Sequence, residues 1–388
     1  MRTDADEPTE PEQVTRGQLA EHCHTHRYQS PIGGIDRQKT PLRKLETMNA
    51  NWQEFLGSTG ARMENGLVHD FGDLSAELAS ARDATIVAPL VHLALIECAG
   101  EDAKAFLHNQ LTSDVNHLAP DSAQHSAWCT AKGRMQASFI LYRAGQSYRA
   151  LISCDLLAAT QKRLQMFVLR SKVKLSDLTD THEIIGLSGA QAEAALLSAG
   201  LPVPGKSLSS ESVADGTVIR LDAARFVLIA SGAAAPELWR RLSTVAKPVG
   251  TPVWQWLDIQ AGIPLITEAT KEAFVPQMAN FDKIGGVSFH KGCYPGQEIV
   301  ARTQYLGKVK RHLYRIHADT ALVAGTLIYA PDSPEHPCGM VANAAPAPSG
   351  GYDALAVIQE NFVELPTLSL GAPGGPGFSV FPIAEHTE

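Results

Sequence analysis

Two stretches of the chain share one pattern, in which a strand of alternating apolar and polar residues is followed by a glycine and an amphipathic helix. The first strand is predicted over Val91–Cys98, Gly100 ends it, and the helix that follows extends to Leu111 with acidic residues at its positive end. The second strand is predicted over Glu183–Leu187, and its glycine, Gly189, lies 89 residues after Gly100. Because the glycine turn recurs at the same place, we favour a duplicated α+β module over a chance similarity of two helices.

The rest of the pattern predicts short strands and three further helices around these units. Strands are expected near residues 125–129, 134–143, 147–153, 172–175, 217–222 and 225–230. Helices are expected from an N-cap at Asp155 to about Leu169, over roughly 236–245, and over 254–262. Trp254 and Trp256 lie two residues apart and cannot share a helix face, so one is expected in the core and the other beside a pocket.

Composition places the chain among ordinary folded proteins and excludes some classes of function. The 388 residues are 44% hydrophobic and 19% charged, and the formal net charge of −8 argues against an extended nucleic-acid surface. No apolar run reaches the length of a membrane span. Six cysteines without a CxxC pair, and no secretory signal, favour reduced thiols in the bacterial cytoplasm.

The two ends of the chain differ in pattern from its middle. Residues 1–47 lack apolar periodicity and are expected to form a mobile tail, with Met48 as a candidate start of the folded protein. The tail contains the cluster His22–His26, but no second group of ligands accompanies it, so no metal site is predicted. From about residue 312 onward, short strands and many Gly and Pro turns predict a small β-barrel.

The stretch Lys291–Glu298, KGCYPGQE, is the strongest candidate for chemistry. Its two glycines and its proline predict a tight polar loop that a ligand can approach closely. His290 and Lys291 precede Cys293, and nearby cations favour the thiolate, which is the nucleophilic and metal-binding form. A buried, inert cysteine is the ordinary alternative, but it does not need so many polar neighbours. Residues 299–316 contain five cations and no acid, which indicates either an anionic ligand or a solvated basic face.

Several segments make the chain resemble a known family. KGCYPGQE, together with IQAGIPLI, FVPQ, FLHNQLTSDV and CTAKGRM, resembles the signature of the YgfZ family of folate-binding, iron–sulfur-related proteins, over about residues 90–388. That family is similar to the aminomethyltransferase (T-protein) of the glycine cleavage system. The resemblance implies a GcvT-like α+β fold, with two ferredoxin-like modules and a C-terminal antiparallel β-barrel around a central folate-binding hole. We accordingly expect a folate-binding domain over residues 48–311 and a barrel domain over residues 312–388.

The resemblance also implies a function, a cofactor and partners. It implies that the protein binds tetrahydrofolate or a derivative and supports assembly or repair of iron–sulfur enzymes, including one that thiolates tRNA, through a reactive Cys293. The expected partners are those enzymes or their assembly factors, with no direct nucleic-acid contact and no membrane. Lys291 is expected beside the thiol, and Lys291 and Arg302 at the anionic tail of the folate. The expected folate contacts are Trp254, Gln260, Gly292, Tyr294, Gly296, Gln297, Glu298 and Arg302.

Two departures from the related aminomethyltransferases limit the resemblance. Their catalytic aspartate follows the glycine turn before the second central strand, but the corresponding run here, Lys132–Ala137, contains no acid. Aminomethyl transfer needs a carboxylate near the folate nitrogen, so a classical transferase is disfavoured. Gln260 stands where family members often have glutamate, and an amide can hydrogen-bond a pterin but cannot pair with a cation. A folate-dependent transferase and a passive folate-binding scaffold are the alternative functions.

Overall fold

Three large β-sheets and a two-stranded hairpin carry the part of the chain that the computed structural model describes, which comprises residues 48–305, 307–365 and 367–383. The predicted N-terminal tail and its histidine cluster lie outside the described residues. The helices of the described part are α1 (Ala50–Ser58), α2 (Leu74–Asp83), α3 (Ala103–Gln110), α4 (Cys154–Val168), α5 (Ala192–Ser198), α6 (Ala235–Leu242), α7 (Thr251–Gln260) and α8 (Gln297–Tyr305). None of these helices is long and apolar enough to cross a membrane.

The strands contain two to ten residues each. They are β1 (Arg62–Glu64), β2 (Leu67–Asp70), β3 (Ile86–Pro89), β4 (Leu93–Ala99), β5 (Ala123–Cys129), β6 (Met135–Ala144), β7 (Ser147–Ser153), β8 (Lys174–Asp177), β9 (His182–Ser188), β10 (Ser210–Val213), β11 (Gly216–Arg220), β12 (Arg225–Ser231), β13 (Lys247–Pro248), β14 (Arg311–Ala318), β15 (Leu327–Tyr329), β16 (Gly339–Pro346), β17 (Tyr352–Gln359), β18 (Ser369–Leu370) and β19 (Ser379–Phe381).

The duplicated unit predicted from the sequence is present in the structure. Strands β4 and β9 begin and end at equivalent positions, and the glycine after each has a positive φ, +123° at Gly100 and +126° at Gly189. In both turns the glycine carbonyl accepts a hydrogen bond from the first residue of the next helix, at 3.1 Å from Ala103 and 3.0 Å from Ala192. A side chain at either glycine would collide with a neighbouring backbone, which is why both turns need glycine.

The two units form sheets whose strands follow corresponding orders. The first sheet runs β5-β6-β7-β4-β8, and β8, which follows α4, pairs antiparallel with β4. The second sheet runs β10-β11-β12-β9-β3-β13, so the position beside β9 belongs to β3, a strand that precedes both units. Strand β13, which follows α6, pairs in parallel with the outer side of β3. The chain before the first unit therefore completes the sheet of the second.

Apolar side chains cover both faces of the second sheet. The largest hydrophobic cluster joins the first sheet to the inner face of the second and includes Trp254 and Ile259 of α7 and Val300 of α8. A second cluster packs α1, α5 and α6 on the opposite face, with Trp52 and Trp239 at its centre. A sheet buried on both faces explains why β12 carries a continuous apolar run, Phe226–Ala230.

Helix α4 begins at a different cap from the one predicted. Ser153 occupies the N-cap position, because β7 ends there and the helix begins at the next residue. Asp155 lies in the first turn instead, where a carboxylate meets the positive end of the helix. Its carboxylate accepts hydrogen bonds from Ser153 Oγ at 2.7 Å and from the backbone N–H of Glu268 at 3.0 Å.

The C-terminal section is a six-stranded antiparallel sheet in the order β18-β15-β16-β17-β14-β19. Its apolar face has a core of its own, which includes Ile316, Val341 and Ile358. The sheet is joined to the segment after α7, because the Asn343 side chain accepts a hydrogen bond from the backbone N–H of Leu265 at 3.0 Å and donates one to its carbonyl at 2.8 Å. The segment after α7 in turn leads to the cysteine loop.

Candidate functional site

The cysteine loop, residues Lys291–Glu298, is docked on the turn between β5 and β6. Gly296 has a φ of +82°, and a side chain there would overlap the carbonyl of Thr130 and come within 2.7 Å of Gly133. A side chain on Gly133 would come within 3.1 Å of Ile299 at the start of α8. Glycines on both segments thus allow the two backbones to touch. The CTAKGRM turn therefore fixes the position of the cysteine loop.

The last two positions of the stretch Lys291–Glu298 are helical. Helix α8 starts at Gln297, and Glu298 lies in its first turn, where the positive end of the helix favours a carboxylate. The side-chain amide of Gln297 donates a hydrogen bond to the carbonyl of Lys291 at 3.4 Å, which closes the loop. Glu298 and Arg302 are both exposed and lie four residues apart on α8.

Lys291 is buried and caps helix α3, so its cation points into the protein and not toward a ligand at the surface. Its Nζ donates hydrogen bonds to the carbonyls of His108 and, at 2.5 Å, Leu111. A cation at this end of a helix also interacts favourably with the helix dipole. Burial lowers the pKa of Lys291 to about 8, against the opposing effect of Asp114. The Nζ lies 4.8 Å from the centre of the buried Tyr294 ring, and Lys291 thus ties the loop to α3.

Cys293 is the exposed thiol among the cysteines that the structure describes. Cys98, Cys129 and Cys338 are buried, and Cys154 is half-buried. Burial raises the pKa values of Cys98 and Cys129 to about 12, so these thiols are protonated at neutral pH. Within the described residues, thiol chemistry in neutral solution is therefore expected at Cys293.

A histidine that the sequence analysis did not select lies against the cysteine loop. His108, in the last turn of α3, is 9% exposed, and its Nε2 lies 3.6 Å from the point where a side chain on Gly292 would begin. Its other ring nitrogen, Nδ1, is 3.2 Å from Oδ1 of Asp114. The second oxygen of Asp114 lies 2.8 Å from Nδ1 of the exposed His117. The sequence signal that contained both His108 and Asp114 was the segment FLHNQLTSDV, which was used only for the family resemblance.

The two expected folate contacts on α7 face different neighbours. Trp254 is 1% exposed, and its ring packs on Gly186 of β9, where a side chain would come within 2.5 Å of it. Gln260 faces the C-terminal sheet, and its amide donates to Asp353 Oδ2 at 2.8 Å. Trp256 donates to the same oxygen at 2.8 Å. Trp256, and not Trp254, therefore shares the face of Gln260, as expected for residues four apart on a helix.

The predicted site residues form two groups in the structure. Among the described residues, no hydrogen bond, ion pair or ring contact joins Trp254 or Gln260 to the cysteine loop. The cations of residues 299–316 also contact different side chains of the protein. Arg315 donates to the Gln260 side chain, and Lys308 lies 3.3 Å from Glu360.

Buried acceptor oxygens without partners occur in segments that adjoin the cysteine loop. Four amide oxygens are buried and have no hydrogen-bond partner among the described residues, namely those of Gln110, Gln136, Gln277 and Asn280. The segments that carry Gln136 and Gln277 are linked, because Met135 donates its N–H to the carbonyl of Phe274 at 2.8 Å. The Gln277 amide nitrogen also donates to the carbonyl of Val300 in α8 at 2.7 Å. Unpaired buried acceptors are rare in proteins and indicate a place for a polar ligand or water.

The sequence of the chain is similar to those of known proteins. Residues 44–201 match the family described as the GCVT N-terminal domain. The tRNA-modifying protein YgfZ of Shigella sonnei (strain Ss046) is 32% identical over 259 residues, which cover 66% of this chain and 77% of that protein. The tRNA-modifying protein YgfZ of Yersinia pseudotuberculosis serotype O:1b (strain IP 31758) is 33% identical over 232 residues, covering 59% of this chain and 70% of that protein.

A solved structure shows the same fold. The glycine cleavage system aminomethyltransferase T from Bartonella henselae superposes with a TM-score of 0.74 at 18% sequence identity, over 87% of this chain and 98% of that one. The duplicated units and the C-terminal sheet thus define a GcvT-like α+β protein. Within that class the chain belongs to the YgfZ family.

Proposed function

We propose that this protein binds tetrahydrofolate and supports the assembly or repair of iron–sulfur enzymes, tRNA-modifying enzymes among them, through the thiol of Cys293. The observation that carries the proposal is the exposure of Cys293 on a loop that is held on one side by Lys291 and on the other by Gly296. The names of the relatives, which are tRNA-modifying proteins, support the choice of clients. A free thiol stays reduced in the bacterial cytoplasm, so we expect the protein to act there.

The chemistry of the buried acceptors supports a folate as the ligand. A pterin ring presents several N–H donors, and the unpaired oxygens of Gln136, Gln277 and Asn280 are acceptors that such a ring would satisfy. Tetrahydrofolate supplies a carrier for one-carbon units when it is bound. The exposed guanidinium of Arg302 is a suitable partner for the anionic tail of the ligand.

The turn beneath the cysteine loop supports a role other than aminomethyl transfer. The run Lys132–Ala137 carries two cations and no carboxylate. Stabilising positive charge at a folate nitrogen during aminomethyl transfer needs a carboxylate at this place. A test for methylene-tetrahydrofolate formation from an aminomethyl donor is therefore expected to be negative, and a positive result would make the protein a transferase.

Folate binding is tested by ligand-dependent stabilisation of the purified full chain. Tetrahydrofolate should raise the melting temperature of the wild type, because a ligand that binds the native state must stabilise it. Gln136→Leu should weaken binding by about tenfold or more, since it removes a buried acceptor. Gln304→Leu, on the exposed surface of α8, is the matched control and should bind like the wild type. An unchanged melting temperature of the wild type with saturating tetrahydrofolate would overturn the proposed ligand.

The role of the thiol is tested by rescue of a deletion strain. We expect iron–sulfur enzyme activities and thiolated tRNA to fall in the strain and to recover with the wild-type gene but not with Cys293→Ala. Cys129→Ala, which changes a buried thiol, is the control and should rescue if the variant folds. Full rescue by Cys293→Ala would show that the protein is a passive scaffold.

A further inference from the structure

Two side chains, those of Asp114 and His108, lie next to each other beside the segment that carries Cys293. Asp114 begins a 3-10 helix over Val115–His117, and its carboxylate accepts the backbone N–H of Asn116 at 2.9 Å, which fixes its orientation. Its Oδ1 lies 3.2 Å from Nδ1 of His108. The position of this imidazole is therefore set by the end of α3 on one side and by an oriented carboxylate on the other.

The opposite edge of the His108 ring faces the cysteine loop. Its Nε2 lies 3.6 Å from the point where a side chain on Gly292 would begin. Cys293 is the next residue, and consecutive Cα atoms are about 3.8 Å apart, so the backbone of Cys293 is one residue from the contact with the imidazole. The loop cannot drift from α3, because Lys291 donates to the carbonyl of His108 itself. A glycine at position 292 leaves the space between ring and loop open.

We infer that His108 accepts the proton of the Cys293 thiol and that Asp114 positions His108 for this step. The inference rests on the proposed role of Cys293. In the step, the S–H bond of Cys293 breaks, the proton moves to Nε2 of His108, and the electron pair stays on the sulfur as thiolate. In this step His108 is the base, and Asp114 is a positioning residue that acts through the imidazole.

The charges around His108 favour the form of the ring that the step needs. Burial and the nearby cation of Lys291 lower the pKa of His108, and Asp114 opposes them. His117, the other charged group that acts on the ring, also lowers this pKa. The imidazole is therefore neutral at neutral pH, and the carboxylate 3.2 Å from Nδ1 favours the tautomer with its proton on Nδ1 and its lone pair on Nε2.

The inference is tested by the pH dependence of alkylation of Cys293 in the purified full chain. Iodoacetamide incorporation is measured on the Cys293 peptide by mass spectrometry between pH 6 and pH 9.5. We expect His108→Gln to slow the reaction by about tenfold or more at pH 7, because a general base is lost, and to approach the wild-type rate at pH 9.5. Asp114→Asn should slow it less, with the same recovery. His290→Gln tests the competing histidine, which is nearest in sequence and exposed, and it should slow the reaction less than His108→Gln.

The outcomes separate this inference from the proposed function. Folded His108→Gln and Asp114→Asn variants with the wild-type profile, or a slowed reaction in His290→Gln alone, would overturn the relay. If His108→Gln does not fold, Asp114→Asn decides the question by itself, with melting temperature as the check on folding. A slower reaction at every pH would mean altered access and would also overturn the relay. Rescue of the deletion strain by Cys293→Ala would refute the function and leave the measured relay standing.

Discussion

Replacing Lys291 with methionine should destabilise the protein by an amount that grows with pH. The wild-type ammonium is buried and donates two hydrogen bonds to carbonyls at the end of α3. Hydrogen bonds to charged groups contribute about 1.5–3 kcal/mol each, whereas the burial that lowers the pKa of Lys291 from 10.5 to about 8 costs roughly 3 kcal/mol while the group is charged. At pH 7 the two bonds together should at least offset the burial, and the variant should be less stable by up to about 3 kcal/mol.

The sign of the pH dependence follows from proton counting. Between pH 8 and pH 10.5 the unfolded chain holds a proton on Lys291 that the folded chain has lost, so stability of the wild type rises with pH. The stabilisation that results from the lowered pKa of Lys291 is fully present above pH 10.5 and is lost as the pH falls through about 8. Relative to Lys291→Met, the wild type should gain about 2 kcal/mol in free energy of unfolding between pH 7 and pH 9.5.

Urea denaturation of both proteins at pH 7, 8.5 and 9.5 measures this difference. Lys132→Met is the matched control, because Lys132 is exposed on the turn beneath the same loop, and its effect should not change with pH. A difference between wild type and Lys291→Met that stays constant over this range would refute the buried helix cap. In that case the lysine would be solvated, as a ligand-binding role at the surface requires.

Three further predictions concern the loop, a buried acid and the thiols. Gly296→Ala should lower the free energy of unfolding by more than about 2 kcal/mol, since a positive φ and an overlap with the β5–β6 turn both oppose a side chain. Gly285 also has a positive φ but has open space around it, so Gly285→Ala should lower the free energy of unfolding by only about 1 kcal/mol. Burial, with Asp180 nearby, raises the pKa of Glu183 to about 8, so the wild type should lose about 3–5 kcal/mol relative to Glu183→Gln as the pH rises from 4.5 to above 8. In brief iodoacetamide treatment at neutral pH, Cys293 should react faster than the buried Cys129.

Each of these has a clear contrary result. Equal costs of the two glycine substitutions in urea denaturation would mean that the loop is not packed on the turn. Parallel stability curves of wild type and Glu183→Gln across this pH range would mean that the carboxyl is solvated. Alkylation of Cys293 more slowly than of the buried cysteines would remove the case for a reactive thiol.

The sequence predicted much of the first two units because their signals are local. A strand, a glycine with positive φ and a helix are specified by neighbouring residues, and the structure has them at Gly100 and Gly189. The insertion of β3 beside β9 was not predicted, because pairing between strands far apart in the chain depends on tertiary packing and not on periodicity. The same limit explains why the neighbours of Trp254 and Trp256 were not predicted. A helical pattern places the two residues on different faces without saying which part of the protein each face contacts.

The sequence by itself determined the family, the glycine turns and the loop that carries Cys293, because each is written in contiguous residues. Only the tertiary structure decided what surrounds the thiol. Lys291, adjacent in sequence, turns inward to cap α3, while His108, 185 residues earlier than Cys293, comes to face Gly292. The physical reason is that a buried cation must find acceptors for its protons, and the nearest ones are carbonyls on a distant helix. Satisfying Lys291 at the end of α3 is what brings the imidazole of His108 to the cysteine loop.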